Sequence, residues 1–199
     1  MRWLDHQPPN LKEAHCALER IVRDGNRASE VIRRVRTLAK RTDIQMAPLE
    51  LNEVVSEALA LVQHELLSYR VSMRMDLASA LPRILADRVQ LQQVILNLVL
   101  NGIEAMQSIT DRARQLMIRS ERHDPQHVRV TVTDCGVGFR AEYAERLFNS
   151  FFTTKSSGMG MGLSICRSII DAHGGRIWAT SNVLHGATVQ FTLPAHPRS

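Results

Sequence analysis

Gln90-Leu-Gln-Gln-Val-Ile-Leu-Asn-Leu-Val-Leu-Asn-Gly-Ile-Glu-Ala-Met106 is the stretch from which the rest of the chain can be read. Apolar residues occupy most of its helical circumference, and Asp87 stands where it can open a helix expected to run to about Ser108. Asn97, Asn101 and Glu104 are spaced four and then three apart, so they share one face. A solvent face usually recruits Glu, Lys or Arg, whereas asparagine is a poor helix former and stands here twice in an otherwise apolar helix. Two readings are open. The face is the wet side of an amphipathic helix, continuing Gln93 and Gln107. Alternatively, it offers neutral and anionic oxygens to a hydrated Mg²⁺, which takes few protein ligands beside substrate phosphates.

Downstream, Leu116 and Ile118 suggest a strand, Asp124-Pro125 a turn, and Val128, Val130 and Val132 a second strand that alternates up to Asp134. By period-2 parity Asp134 shares the face of the valines, so its carboxylate needs a donor from the protein or from a ligand such as the amino group of adenine. Gly136 and Gly138 follow in Asp134-Cys-Gly-Val-Gly138 and permit close backbone approach; a plain turn with a capping Asp looks the same. Residues 136–160 read as a loop or lid containing Phe139, Phe148, Phe151 and Phe152, placed either for core packing or for docking onto another surface. Gly158-Met-Gly160-Met-Gly162-Leu163 then opens a helix to His173, a natural phosphate site that fits neither the dinucleotide fingerprint nor the Walker pattern. Lys155 precedes these glycines by three residues, as a point charge for a terminal phosphate or as an exposed loop lysine. Strands are expected near Arg176–Ser181 and Ala187–Leu193.

Upstream, Pro48–Leu51 reads as a short strand, Asn52 as the cap of a helix to about Leu67, and Val71, Met73, Met75 and Leu77 as a half-buried strand. Irregular alternation of helices and strands indicates an α+β two-layer sandwich, a mixed sheet covered by helices on one face. Before it, Leu11, Ala14, Leu18, Ile21, Gly25, Ala28, Ile32, Val35 and Ala39 repeat at heptad spacing, as in a long coiled-coil-like helix of a bundle. Pro8-Pro9-Asn10 separates it from a stub of preceding helix, so the chain is expected to begin inside a helical motif. The boundary falls between residues 1–47 and 48–199.

The chain has 199 residues and a net charge of +5, of which +4 lies in residues 1–47. Arg20, Arg23, Arg27, Arg33, Arg34, Lys40 and Arg41 avoid the seam, so the excess belongs to the outer face of a bundle helix, and no nucleic-acid partner is expected. Apolar runs such as Leu98–Leu100 fall far short of the roughly 18 residues of a membrane span, so no membrane contact is expected from this chain. Three cysteines without C-x-x-C spacing fit a reducing cytoplasm, although the parent protein can be membrane-anchored.

The order of these motifs, over about Pro48 to Pro194, resembles the ATP-binding catalytic domain of sensor histidine kinases, within the superfamily shared with gyrase-type ATPases, and hence a Bergerat-type fold. Asn97, Asn101 and Glu104 match that family's N-box, Asp134–Gly138 its first glycine box, Leu147–Lys155 its F-box and Gly158–Leu163 its second glycine box. Asn149-Ser150 departs from the acidic residue and proline common in the F-box. The likeness implies ATP and Mg²⁺ as cofactors, with Asn101 on the metal, Asp134 on the adenine amino group, and Asn97 and Glu104 organising metal-bound water and phosphates. It also implies that Lys155 and the amides around Gly160 and Gly162 hold the β- and γ-phosphates, and that Thr188 lies near adenine, although parity sets Thr188 opposite Val189 and Phe191. Residues 1–47 resemble part of the dimerisation and phosphoacceptor hairpin, chiefly its second helix, which implies a homodimer once the hairpin is completed. The phosphoacceptor pattern is missing: neither His6-Gln-Pro-Pro nor His15-Cys-Ala-Leu matches it. The chain is therefore expected to transfer the ATP γ-phosphoryl to a histidine it lacks, for relay to a response-regulator receiver domain. An ATP-dependent interaction module without phosphotransfer and another kinase or ATPase of the superfamily are the alternatives. Arg2-Trp3-Leu4, Pro8-Pro9 and Leu11 resemble the nitrogen-fixation and dicarboxylate-sensing kinases.

Overall fold

The computed structural model describes residues 11–13, 15–18, 45–154 and 160–196, and the chain divides into two units, 1–44 and 45–199. Of the heptad segment, residues 11–13 and 15–18 are helical; the remainder lies outside the described residues.

The second unit runs β1 (Ala47–Leu49), α1 (Leu51–Ala60), α2 (Gln63–Ser68), β2 (Ser72–Leu77), β3 (Ile84–Ala86), α3 (Arg88–Ala105), β4 (Gln115–Asp124), β5 (His127–Asp134), α4 (Gly162–Ala172), β6 (Arg176–Ser181) and β7 (Ala187–Pro194). Five strands form a mixed sheet in the order β2-β4-β5-β7-β6; β2 and β4 are parallel and the other pairs antiparallel. A separate antiparallel ribbon joins β1 to β3. One face of the sheet is apolar in register: Ile118 pairs with Val132, Val130 with Phe191, and Ile177 with Phe191. Helices cover that face, and both α1 and α4 pack against α3. Enclosed in this way, α3 buries Leu91, Val94, Ile95, Leu98, Val99 and Ile103 and leaves its asparagine face half-exposed, which accounts for an 18-residue helix that is apolar around most of its girth.

Two expectations are corrected. The helix after β1 breaks at Leu61-Val62 into α1 and α2. Asn52 does not cap it: Glu50 stands at the N-cap, while Asn52 Nδ2 donates to Ala78 O at 2.8 Å and Asn52 Oδ1 accepts from Ser120 Oγ at 2.6 Å. A residue type favoured at caps is here a tertiary tie between α1 and the sheet. The ribbon strand β3 has too few residues to carry a period and was not anticipated.

Asp87 does open α3, and does more. Its Oδ1 accepts from Gln90 N at 3.0 Å and its Oδ2 from Gln45 N at 2.9 Å, while its own N–H donates to His173 Nε2 at 2.9 Å. The ring's Nδ1 lies 2.7 Å from Ile169 O, so the network assigns the proton to Nδ1. One carboxylate and one imidazole thereby fasten residue 45, the start of α3 and the end of α4 to one another.

Replacing a side chain that caps a helix and holds a remote amide removes more than a surface ion pair does. Asp87→Ala is expected to lower unfolding free energy by about 1–2 kcal/mol, against less than about 0.5 kcal/mol for Asp76→Ala in the exposed pair with Arg119. Urea denaturation of both variants checks this; equal midpoint shifts contradict it.

Candidate functional site

Three positions along α3 touch three parts of the site. A Cβ on Gly102 would come within 2.4 Å of Leu116 Cδ1 and 3.5 Å of Asp134 Cβ, so the bare backbone lets the helix lie directly on the strand end that carries Asp134. Further along, Ala105 O accepts from Val137 N at 3.1 Å, and Gly136 passes so close that a Cβ there would stand 2.5 Å from the same carbonyl. Asn101 Nδ2 lies 3.8 Å from the place of a Cβ on Gly162, which sets the first residue of α4 against the asparagine face.

Asp134 lies on the apolar face opposite Leu116 in the ladder and is 9% exposed. Its Oδ1 accepts from Gly136 N at 2.8 Å and from Ala187 N at 3.3 Å, the donors that a carboxylate in such surroundings requires. Gly138 continues the turn with φ +66° beside the Gly186 carbonyl. At the other end, α4 begins without a side-chain cap, in contrast to α3, and its first-turn amides form the positive end of an 11-residue helix. Gly162 and Leu163 there are half-exposed, as are Asn97 and Asn101, whereas Glu104 is exposed.

The lid is a mixture of the two readings open from sequence. Phe148 joins the core, with the Arg167 guanidinium 5.3 Å from its ring centroid; Phe152 meets Tyr143 edge-on at 5.5 Å. Phe151, by contrast, is 75% exposed. Phe151 N donates to Gly160 O at 3.0 Å, joining the two described ends of the lid.

Through α3 the structure therefore links Asp134, Gly136 and Gly162, with Gly138 in the turn after Asp134, Gly160 and Leu163 beside Gly162 in the chain, and Asn97 and Glu104 on the same helix face as Asn101. It does not bring Thr188 to Asp134. The register pairs Thr188 with Thr133 on the opposite sheet face, where its hydroxyl lies 3.1 Å from Thr133 Oγ1 and donates to Asn182 Oδ1 at 2.8 Å. Lys155 and Gly158 lie outside the described residues. Sequence reasoning passed over Gly102, although a glycine inside a helix costs about 1 kcal/mol and so signals a close approach. It also passed over the Ala187 amide and Asn182, whose Nδ2 donates to Asp134 O at 3.3 Å; neither carries a local pattern.

The family model described as "Histidine kinase-, DNA gyrase B-, and HSP90-like ATPase" matches residues 86–197. The sensor protein FixL of Bradyrhizobium diazoefficiens is 42% identical over 94% of this chain and 37% of its own length. The sensor histidine kinase TmoS of Ectopseudomonas mendocina is 38% identical over 97% of this chain and 20% of its own. The chain thus spans well under half of each. The solved catalytic domain of histidine kinase ThkA is similar with a TM-score of 0.66 and 36% identity, over 76% of this chain and 96% of that one. The structure of ThkA in complex with response regulator protein TrrA matches with a TM-score of 0.78 and 30% identity, over 99% of this chain and 55% of that one.

The two glycines that border the asparagine helix differ in what a methyl group would meet. Gly136→Ala drives a Cβ into the Ala105 backbone and is expected to cost about 1–3 kcal/mol of stability, whereas Gly162→Ala meets nothing nearer than Asn101 Nδ2 at 3.8 Å and is expected to fold normally. Thermal unfolding of the pair decides; equal losses contradict the geometry.

Proposed function

The chain belongs to the histidine kinase-, DNA gyrase B-, and HSP90-like ATPase family, and from that premise we propose that it is the ATP-binding kinase core of a two-component sensor histidine kinase. The observation that carries the proposal is that α3 touches both the strand end bearing Asp134 and the start of α4. Gly102 bears on the base-side carboxylate Asp134, and Asn101 bears on the uncapped start of α4, where phosphates are best received.

In this reading Asp134 accepts the adenine amino group, while Gly136 and Gly138 let the backbone approach the base. The amides of Gly160, Gly162 and Leu163 face the β- and γ-phosphates, with Gly158 continuing that loop and Lys155 supplying a mobile charge. Asn101 holds Mg²⁺, and Asn97 and Glu104 orient its water and the phosphates. The donor set fits the ion: one carboxylate and two amide oxygens on a single helix face are the sparse, oxygen-only ligation that Mg²⁺ accepts when phosphates complete its shell. Bound Mg²⁺ supplies charge neutralisation for phosphoryl transfer, which depends mainly on positioning and electrostatics.

The γ-phosphoryl goes to a histidine on a dimerisation helix, since neither His6 nor His15 fits the acceptor pattern, and from there to the receiver domain of a response regulator. ThkA, similar along 99% of this chain, is described in complex with such a protein, which supports that partner. The heptad seam of residues 11–39 supports a homodimer through a helical hairpin, and three cysteines without C-x-x-C spacing support a cytoplasmic setting. Among the described residues no helix is long and apolar enough to cross a membrane.

Asp134→Asn and Asn101→Ala are each expected to lower Mg²⁺-ATP affinity by about a hundredfold, the worth of a charged hydrogen bond or metal ligand. Calorimetry showing near-normal affinity in both overturns the site assignment. A separate chain carrying the hairpin's first helix is expected to gain acid-labile phosphate when mixed with this chain and ATP. Nucleotide binding without that product favours an interaction module.

A further inference from the structure

Arg112 lies in the loop between α3 and β4 and takes part in neither element, yet its guanidinium is committed to the turn after Asp134. Nε and one terminal nitrogen donate to Cys135 O at 3.1 and 3.0 Å, and the same terminal nitrogen donates to Gly136 O at 3.2 Å. The other terminal nitrogen holds both oxygens of Asp111 at 3.1 and 3.0 Å, which fixes the rotation of the fork. From another direction Asn182 Nδ2 holds Asp134 O. Three consecutive carbonyls, those of residues 134, 135 and 136, are therefore each gripped by a side chain.

The grip has a mechanical consequence for the carboxylate. A trans peptide is planar, with its C=O and N–H pointing in opposite directions. Holding Cys135 O accordingly sets the direction of Gly136 N–H, and that N–H is the donor 2.8 Å from Asp134 Oδ1. The line of force runs from Arg112 through the Cys135–Gly136 peptide to the plane of the Asp134 carboxyl group. Lysine cannot replace the fork, because a point donor cannot straddle two adjacent carbonyls and a carboxylate with fixed angles.

We propose that Arg112 is a positioning residue for base recognition, setting the angle at which Asp134 meets the purine 6-substituent and so setting the preference for adenine over hypoxanthine. This rests on the reading of Asp134 as the base contact. A 6-amino group donates to the carboxylate; the 6-carbonyl of inosine triphosphate presents an acceptor to it, and a site built for one rejects the other.

The test measures affinities of the 199-residue chain for Mg²⁺-ATP and Mg²⁺-inosine triphosphate by calorimetry. Arg112→Ala and Arg112→Lys are each expected to reduce the ratio of the two affinities about tenfold, roughly one misdirected hydrogen bond, through weaker ATP binding with inosine triphosphate unchanged. Arg112→Lys keeps the charge and decides the matter if Arg112→Ala does not fold. Arg114→Ala is the control: its fork holds the carbonyls of Tyr69, Gln107 and Ile109, away from the turn, so it is expected to lower the melting temperature and keep the ratio. A selective wild type whose ratio survives in the Arg112 variants overturns the role of Arg112 alone. An equal loss for both nucleotides, or a changed ratio in Arg114→Ala, reduces Arg112 to general bracing and overturns it too. A wild type that binds both nucleotides equally removes the reading of Asp134 itself.

Discussion

The whole arrangement depends on how closely α3 lies on the end of β5. Helices normally stand off a sheet by the depth of their side chains, but at Gly102 there is none, and Leu116 and Asp134 rise into the space. That contact puts an ionisable group at the edge of the core, beneath a helix whose neighbouring residues Asn101 and Ala105 meet the start of α4 and the Gly136 turn. If α3 stood off by one side chain, Ala105 O could not reach Val137 N, and the turn that carries Gly136 and Gly138 would lose its anchor. The cost of a glycine inside a helix is offset by the packing of Leu98, Val99 and Ile103, all at least 97% buried, on either side of it.

A buried carboxylate is tolerable only when donors converge on it. Asp134 and Asp87 meet this condition in different ways. Asp134 takes backbone amides from its own turn and from β7, so it depends on the sheet being complete. Asp87 takes amides from its own helix and from Gln45, and its peptide N–H is spent on His173, so it depends on two remote segments being in place. The turn after β5 and the start of α3 are thus braced by separate networks, with the helix spanning the distance between them.

Much of this was legible in the residues. The spacing of Asn97, Asn101 and Glu104 fixed a helix face, parity put Asp134 among the buried valines, and the same parity turned Thr188 away from it, as the Thr133 pairing shows. Local chemistry read Asp87 correctly because its partner Gln90 is three residues away. It misread Asn52 because the partners Ala78 and Ser120 are 26 and 68 residues away. Arg112 was invisible for the same reason: its acceptors are carbonyls more than 20 residues on, and a carbonyl has no residue type to recognise. Periodicity reports which face is buried, but not which long side chain reaches across to hold a backbone.

The strand order has a consequence for how the site comes into being. The β4–β5 and β6–β7 ribbons each join neighbours in the chain, and such hairpins close within microseconds, whereas β5 meets β7 only after the intervening lid and α4 have been spanned. Asp134 sits on the first ribbon and Ala187 on the second, so the hydrogen bond between them exists only once the two have docked. A ligand that engages Asp134 in this setting selects the docked state over every half-assembled one. Its concentration then bears on how long the two ribbons stay joined, because whatever binds only the finished arrangement slows its dissolution.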